Sequence, residues 1–199
     1  MRKFLILFFL ALGSITFAQQ TLLDSVSLFS TREFTDLNMA LANKDSVYRL
    51  VLRKKKFKEF PMEVLQFKNL QYLDISKNSI QVLPDSLVKL TNLQYFKCSK
   101  NNLEELPKNF GHNENLRSID LSQNDIKALP YSFGRLSKLE YADLWDNNLE
   151  EFPSSISQLT NLRMLDLRNI LISKTKQEGL QNQLPKTYIY FSAPCNCGL

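Results

Sequence analysis

The chain has 199 residues, with 25 Lys and Arg against 20 Asp and Glu, for a formal net charge of +5. A hydrophobic share of 44% and a charged share of 23% describe a folded protein of about one domain and exclude wholesale disorder. Three cysteines are too few for a disulfide-built scaffold. The glycines, Gly13, Gly111, Gly134, Gly179 and Gly198, stand too far apart for a glycine-rich phosphate loop.

Arg2 and Lys3 precede the apolar run Phe4 to Leu12, and the stretch from Gly13 to Ala18 has small residues at 16 and 18. A charged start, a short apolar stretch and a small-residue end predict a secretory signal over residues 1–18, cleaved near Ala18. The alternative is a buried N-terminal helix, and the run is shorter than the ~20 residues that span a bilayer. No cysteine directly follows for a lipid anchor, and no Asn-x-Ser/Thr sequon occurs. The expectation is an exported protein, secreted, periplasmic or held in the cell envelope, with no transmembrane segment in the mature chain. Loss of Arg2 and Lys3 lowers the charge by two, to +3.

Residues 19–46 read as an N-terminal cap. Phe34, Leu37, Ala40 and Leu41 lie at helical spacing and predict a helix over about residues 31–43, with Ser30 and Glu33 as a capping box. From Val47 a fixed period takes over. Pro61, Pro84, Pro107, Pro130 and Pro153 each stand 23 residues after the last, and so do Leu70, Leu93, Leu116, Leu139 and Leu162. Asn78, Asn101, Asn124 and Asn147 keep the same step. A period of 20–50 residues means stacked supersecondary units. In the clearest unit, Leu73 and Ile75 share one face of a short strand. Asn78 stands where the chain turns away, with an amide able to satisfy the backbone of neighbouring turns. Pro84 can start a helical turn, and Leu87 and Leu90, three apart, face inward from it.

These residues resemble the leucine-rich repeat family, in its 23-residue variety with Leu-Pro in the second half of the unit. The resemblance covers residues 47–191 in six units, starting at Val47, Leu70, Leu93, Leu116, Leu139 and Leu162. It implies an α/β right-handed solenoid with a parallel sheet on the concave face and short helical or 3-10 segments on the convex side. Some units depart from the pattern. Lys55 replaces Asn in the first, and the third has Cys98 at a strand core position and Asn113 where Leu90 and Leu159 stand. The sixth has Ile170 for Asn and loses Leu-Pro. A solenoid needs capped ends. Thr175 and Glu178 suit a last cap, Leu180 and Leu184 give it a buried stripe, Pro185 ends it, and Tyr188 to Phe191 reads as a final strand. Residues 192–199 form a cysteine-containing tail.

In such a fold the residues that alternate with the buried leucines line the concave sheet. They form columns: Arg49, Tyr72, Tyr95, Ser118, Tyr141 and Met164; Val51, Asp74, Lys97, Asp120, Asp143 and Asp166; Arg53, Ser76, Ser99, Ser122, Trp145 and Arg168; Lys54, Lys77, Lys100, Gln123, Asp146 and Asn169. Exposed Tyr and Trp supply most of the energy at interfaces, so Tyr72, Tyr95, Tyr141 and above all Trp145 are candidate partner anchors. The alternative is a ladder that stabilises the sheet alone. Arg49, Arg53, Lys54, Lys77, Lys97 and Lys100 make the first units basic. Asp143 and Asp146 make a later one acidic beside Trp145, with Arg168 beyond. This polarity predicts a protein partner of complementary charge rather than nucleic acid.

The Asp120, Asp143 and Asp166 column can be screened by Arg117 and Arg168 or by a cation, and the plainer reading needs no metal. Catalysis finds little support. His112 is the single histidine, placed after a Leu-Pro segment, and the pairs Glu104-Glu105 and Glu150-Glu151 fall at equivalent repeat positions as a solvated edge. Cys195 and Cys197 can form a disulfide in an oxidising compartment, which leaves a thiol-redox role as an alternative. The sequence therefore predicts a monomeric, non-catalytic protein-binding module without cofactor. A structural envelope component with no dedicated ligand is the rival.

Overall fold

Each 23-residue unit makes one turn of the solenoid: a strand, a bend that asparagine closes in the second to fifth units, and a 3-10 turn or equivalent on the far side. The computed structural model describes residues 22–193. Eight parallel strands form one sheet in chain order: β1 (Glu33–Phe34), β2 (Arg49–Val51), β3 (Tyr72–Asp74), β4 (Tyr95–Lys97), β5 (Ser118–Asp120), β6 (Tyr141–Asp143), β7 (Met164–Leu167) and β8 (Tyr188–Phe191). Parallel neighbours joined by crossovers in strand order are the topology of a right-handed coil. The register aligns Arg49, Tyr72, Tyr95, Ser118, Tyr141 and Met164, then continues to Tyr188. The columns read from the sequence are therefore physical rows, with neighbouring strands about 4.8 Å apart.

The bend after each strand is set by two devices. The first is a left-handed residue in every unit: Lys54, Lys77, Lys100, Gln123, Asp146 and Asn169 have φ between 55° and 59°. The second is the asparagine that follows. Asn124 donates to Cys98 O and Leu121 O at 3.0 and 2.9 Å and accepts from Leu103 N at 3.1 Å. Asn147 repeats this one unit on with Leu121 O, Leu144 O and Ile126 N. Asn78 and Asn101 do the same in their units. Lys55, which lacks an amide side chain, is held from outside, since Lys55 N and Phe57 N donate to Asn78 Oδ1.

The apolar core runs unbroken from Phe34 to Leu184. Cys98 is fully buried in it as a small hydrophobe, and burial pushes its thiol pKa up. Asn113, at a leucine position, is buried as well. It donates to Leu87 O and Leu90 O of the preceding unit at 3.3 and 3.2 Å. On the convex side Phe110 and Phe133 stack with centroids 6.3 Å apart. Repeats approach so closely there that a Cβ on Gly111 would lie 1.6 Å from Ser132 O.

Both caps differ in detail from the sequence expectation. No helix runs over residues 31–43. Instead α1 (Ser25–Ser30) precedes β1, and α2 (Leu37–Leu41) follows it. Asp24 and Asp36 cap these helices by accepting from Ser27 N and Met39 N, so Ser30 and Glu33 form no capping box. Glu33 and Phe34 are strand because they pair with Arg49 and Leu50, and this pairing outweighs local helical spacing. At the other end α3 (Lys174–Gln183) is capped by Ser173 rather than Thr175. It buries Leu180, with Leu184 buried just past its end before β8.

Replacing Asn124 with Ala strands the buried Leu103 N–H and removes one bond each from Cys98 O and Leu121 O. Denaturant unfolding is expected to show a loss of about 2–4 kcal/mol. Asn102→Ala, at the exposed neighbouring position, is expected to change stability by less than about 0.5 kcal/mol.

Candidate functional site

The concave sheet is divided by an N-terminal segment of the chain itself. Residues Leu22–Ser30 form a strap that crosses the first strands. Leu23 N donates to Gln71 Oε1 at 2.9 Å and Leu23 O accepts from Gln94 Nε2 at 2.8 Å. Phe29 meets Tyr72 and Tyr95 edge-on at 5.6 and 5.4 Å. Arg49 ties the strap down from below. It donates to Phe29 O and Thr31 O, pairs with Glu33 at 2.6 Å, and holds its guanidinium 5.1 Å above the Phe29 ring.

This corrects the reading of two candidates. Tyr72 is not an exposed anchor: it is 8% exposed, and burial followed by the charge of Asp74 pushes its hydroxyl pKa up to about 12. Arg49 is committed to the strap and Glu33. Tyr95 is half-buried beside Phe29. Burying Leu28 contributes about 1.5–3 kcal/mol. Gln71 Nε2 is buried without a hydrogen-bond partner among the described residues, at a cost of about 1–3 kcal/mol. The two Leu23 bonds, Phe29 and Arg49 add to the hold.

Beside the strap lies a basic row. Lys54, Lys77 and Lys100 occupy successive left-handed positions, and among the described residues none makes an ion pair. The charges of Lys100, Lys54 and Arg53 lower the Lys77 pKa. Farther along the same column, Gln123 and Asn169 both donate to Asp146. Arg53 reaches Asp74 at 3.6 Å, and the Lys97 ammonium lies 6.0 Å from the Tyr72 ring centre.

The second half of the face is open, aromatic and acidic. Tyr141 is 41% exposed and Trp145 half-buried. The aspartates of the fifth column serve the backbone. Asp74, Asp120, Asp143 and Asp166 each accept from the N–H two residues on, at Ser76, Ser122, Trp145 and Arg168. Asp120 also binds the Ser99 hydroxyl, and Asp166 is clasped by the Arg168 guanidinium. Burial, then Asp120 and Asp166, raise the Asp143 pKa. Two aromatics on β8 that sequence reasoning assigned only to a last strand extend this surface: Tyr188, 66% exposed, and Tyr190, under Arg168 at 5.4 Å. Counting the columns one strand further would have found them.

His112 lies on the convex side against Arg135, and Glu104 pairs with Lys127. Cys195 and Cys197 fall outside the described residues. Among the described residues no group of His, Cys, Asp or Glu is arranged to hold a metal, and no helix is long and apolar enough to cross a membrane.

The family model described as "Leucine rich repeat" matches residues 45–103, 68–126 and 114–172. A solved leucine-rich repeat protein of Leptospira interrogans is 38% identical with a TM-score of 0.66, covering 72% of this chain and 36% of that one. The leucine-rich repeat domain of the type III effector XopL is 24% identical with a TM-score of 0.61, over 68% of this chain and 48% of that one, a likeness of fold alone. The chain thus spans less than half of either neighbour's length. No curated protein matches it. The chain belongs to the leucine-rich repeat family, whose scaffolds are commonly protein-interaction modules presenting an extended concave surface.

A carboxyl whose folded-state pKa is raised costs stability in full above that pKa, and the cost shrinks as the pH falls through it and is gone below the unfolded value. Asp143→Asn keeps an oxygen for Trp145 N. Thermal unfolding is expected to show a higher midpoint than the native chain at neutral pH, with the advantage shrinking as the native carboxyl titrates. An advantage that persists or grows in acid would contradict this assignment.

Proposed function

We propose that this protein is a non-catalytic binding module that takes a protein partner on the open half of its concave face. The observation that carries the reading is the aromatic surface of exposed Tyr141, Tyr188 and Tyr190 with half-buried Trp145, set against the acidic Asp143 and Asp146 and held on the parallel sheet. Nothing in the repeat requires aromatics at these outward positions, and such side chains provide large contact area at low entropic cost. Arg168, engaged with Asp166 and Tyr190, closes this patch on one side. The row of Lys54, Lys77 and Lys100, with Arg53 and Lys97, supplies a second, basic contact for acidic side chains of the same partner. The N-terminal pattern of Arg2-Lys3, the apolar run and Ala18 supports export to the envelope or the extracellular space, where the chain acts as a monomer.

The test is capture of partner proteins from envelope and extracellular extracts by the immobilised mature chain. The specific band is expected to fall by about ten-fold or more with Tyr141→Ala/Trp145→Ala, as for hot-spot truncation. It should weaken with rising salt when Lys54, Lys77 and Lys100 are intact. Undiminished capture by the aromatic variant would sink this assignment of the face.

A further inference from the structure

The strap meets the sheet as a bound peptide does, through a backbone held by side chains rather than by strand pairing. Gln71 and Gln94 grip Leu23 at its N–H and C=O. Gln94 Nε2 also donates to Gln71 Oε1 at 2.8 Å, and Arg117 Nε braces Gln94 from the next strand at 3.0 Å. Phe29 then packs beside Tyr72, Tyr95 and Arg49, and Leu28 next to it in the chain is fully buried.

Three features set this occupant apart from the core. Leu28 is fully buried yet stands outside the continuous apolar cluster that begins at Phe34. Gln71 is fully buried, and its Nε2 offers a donor that the strap does not use. A cavity of about 360 Å³ continues from Asp24 and Ser25 past Gln94, Tyr95, Arg117, Glu140 and Tyr141, leading from the strap to the open half of the face.

We infer that Leu22–Ser30 is a self-ligand, seated in a peptide subsite that also accepts an extended segment of the protein partner. That segment presents one backbone N–H and C=O to Gln71 and Gln94, an additional acceptor to Gln71 Nε2, and an aliphatic–aromatic pair to the Tyr72–Tyr95–Arg49 floor. Its advantage over the strap is the unused donor, because satisfying a buried amide recovers what its burial cost. The strap's advantage is its tether, which gives it a high effective concentration. The strap thereby gates the Tyr72–Tyr95 part of the face. This inference rests on the concave face being the binding face. It is tested on the half that Tyr141 and Trp145 do not occupy, so the two readings fail separately.

The probe is a dye-labelled peptide with the sequence of residues 22–32, added in trans to full-length proteins and followed by fluorescence polarisation. A variant with a loosened strap, Leu28→Asp/Phe29→Ala, is expected to bind it about ten-fold or more tightly than the native chain, because the tethered competitor is weakened. Adding Gln94→Leu to that variant should remove the gain. Amide exchange of the strands reports that the loosened protein remains folded. If it does not, Phe29→Ala alone carries the comparison, with an expected gain of about three-fold. Equal affinity for native and loosened proteins with the strands protected, or indifference to Gln94→Leu, overturns the inference.

Discussion

The structure depends on one side chain repeated at a fixed interval, the asparagine that closes each strand. A three-residue strand is too short to hold a turn of chain by its ladder bonds alone, and the bend that follows it lies within the protein, where polar backbone groups need partners. Each asparagine amide supplies them. Asn101, Asn124 and Asn147 donate to carbonyls of their own and the previous unit and accept an N–H from the previous bend. Every asparagine therefore stitches two units together. The step of 23 residues follows, because any insertion between strand and bend would move the amide away from its three partners. The left-handed residues just before each asparagine follow too, since they turn the chain into the amide's reach.

That stitching makes the concave surface rigid and its columns regular, and function is written in the side chains it leaves free. The first half of the face is basic, with the strap over Tyr72 and Tyr95 and with Lys54 and Lys100 left exposed. Its lysine row repels itself, and none of the three lysines makes an ion pair among the described residues. The second half is acidic, aromatic and open. The net positive charge of the chain is thus a poor description of its surface. A partner meets two neighbouring fields of opposite sign, and they favour one orientation over its reverse.

Much of this was legible in the sequence. A period of 23 residues with leucine, asparagine and proline in fixed places specifies the solenoid, and the parallel register turns sequence columns into rows of neighbours. The strap was not legible. Its contacts join Leu23 to Gln71 and Gln94 and Phe29 to Tyr72 and Tyr95, tens of residues apart, and no periodic signal reports such pairings. For the same reason Tyr72 read as exposed: alternation along a strand says which face a residue takes, but nothing about what lies over that face. Glu33 and Phe34 escaped because helical spacing through Leu41 masks a strand stabilised by its neighbour Arg49–Leu50. Asn113 was legible as a departure, and its reason, two carbonyls of the preceding unit, appears only in three dimensions.

The central claim is that asparagine side chains, not strand ladders, hold the repeats in step. Amide hydrogen exchange at Ile80, Leu103 and Ile126 tests it most directly. These N–H groups lie outside the strands and donate to Asn101, Asn124 and Asn147. The account predicts protection at all three equal to that of strand amides such as Phe96 and Ile119, opening only with global unfolding. Exchange at the rate of exposed loops while the strands stay protected would contradict it.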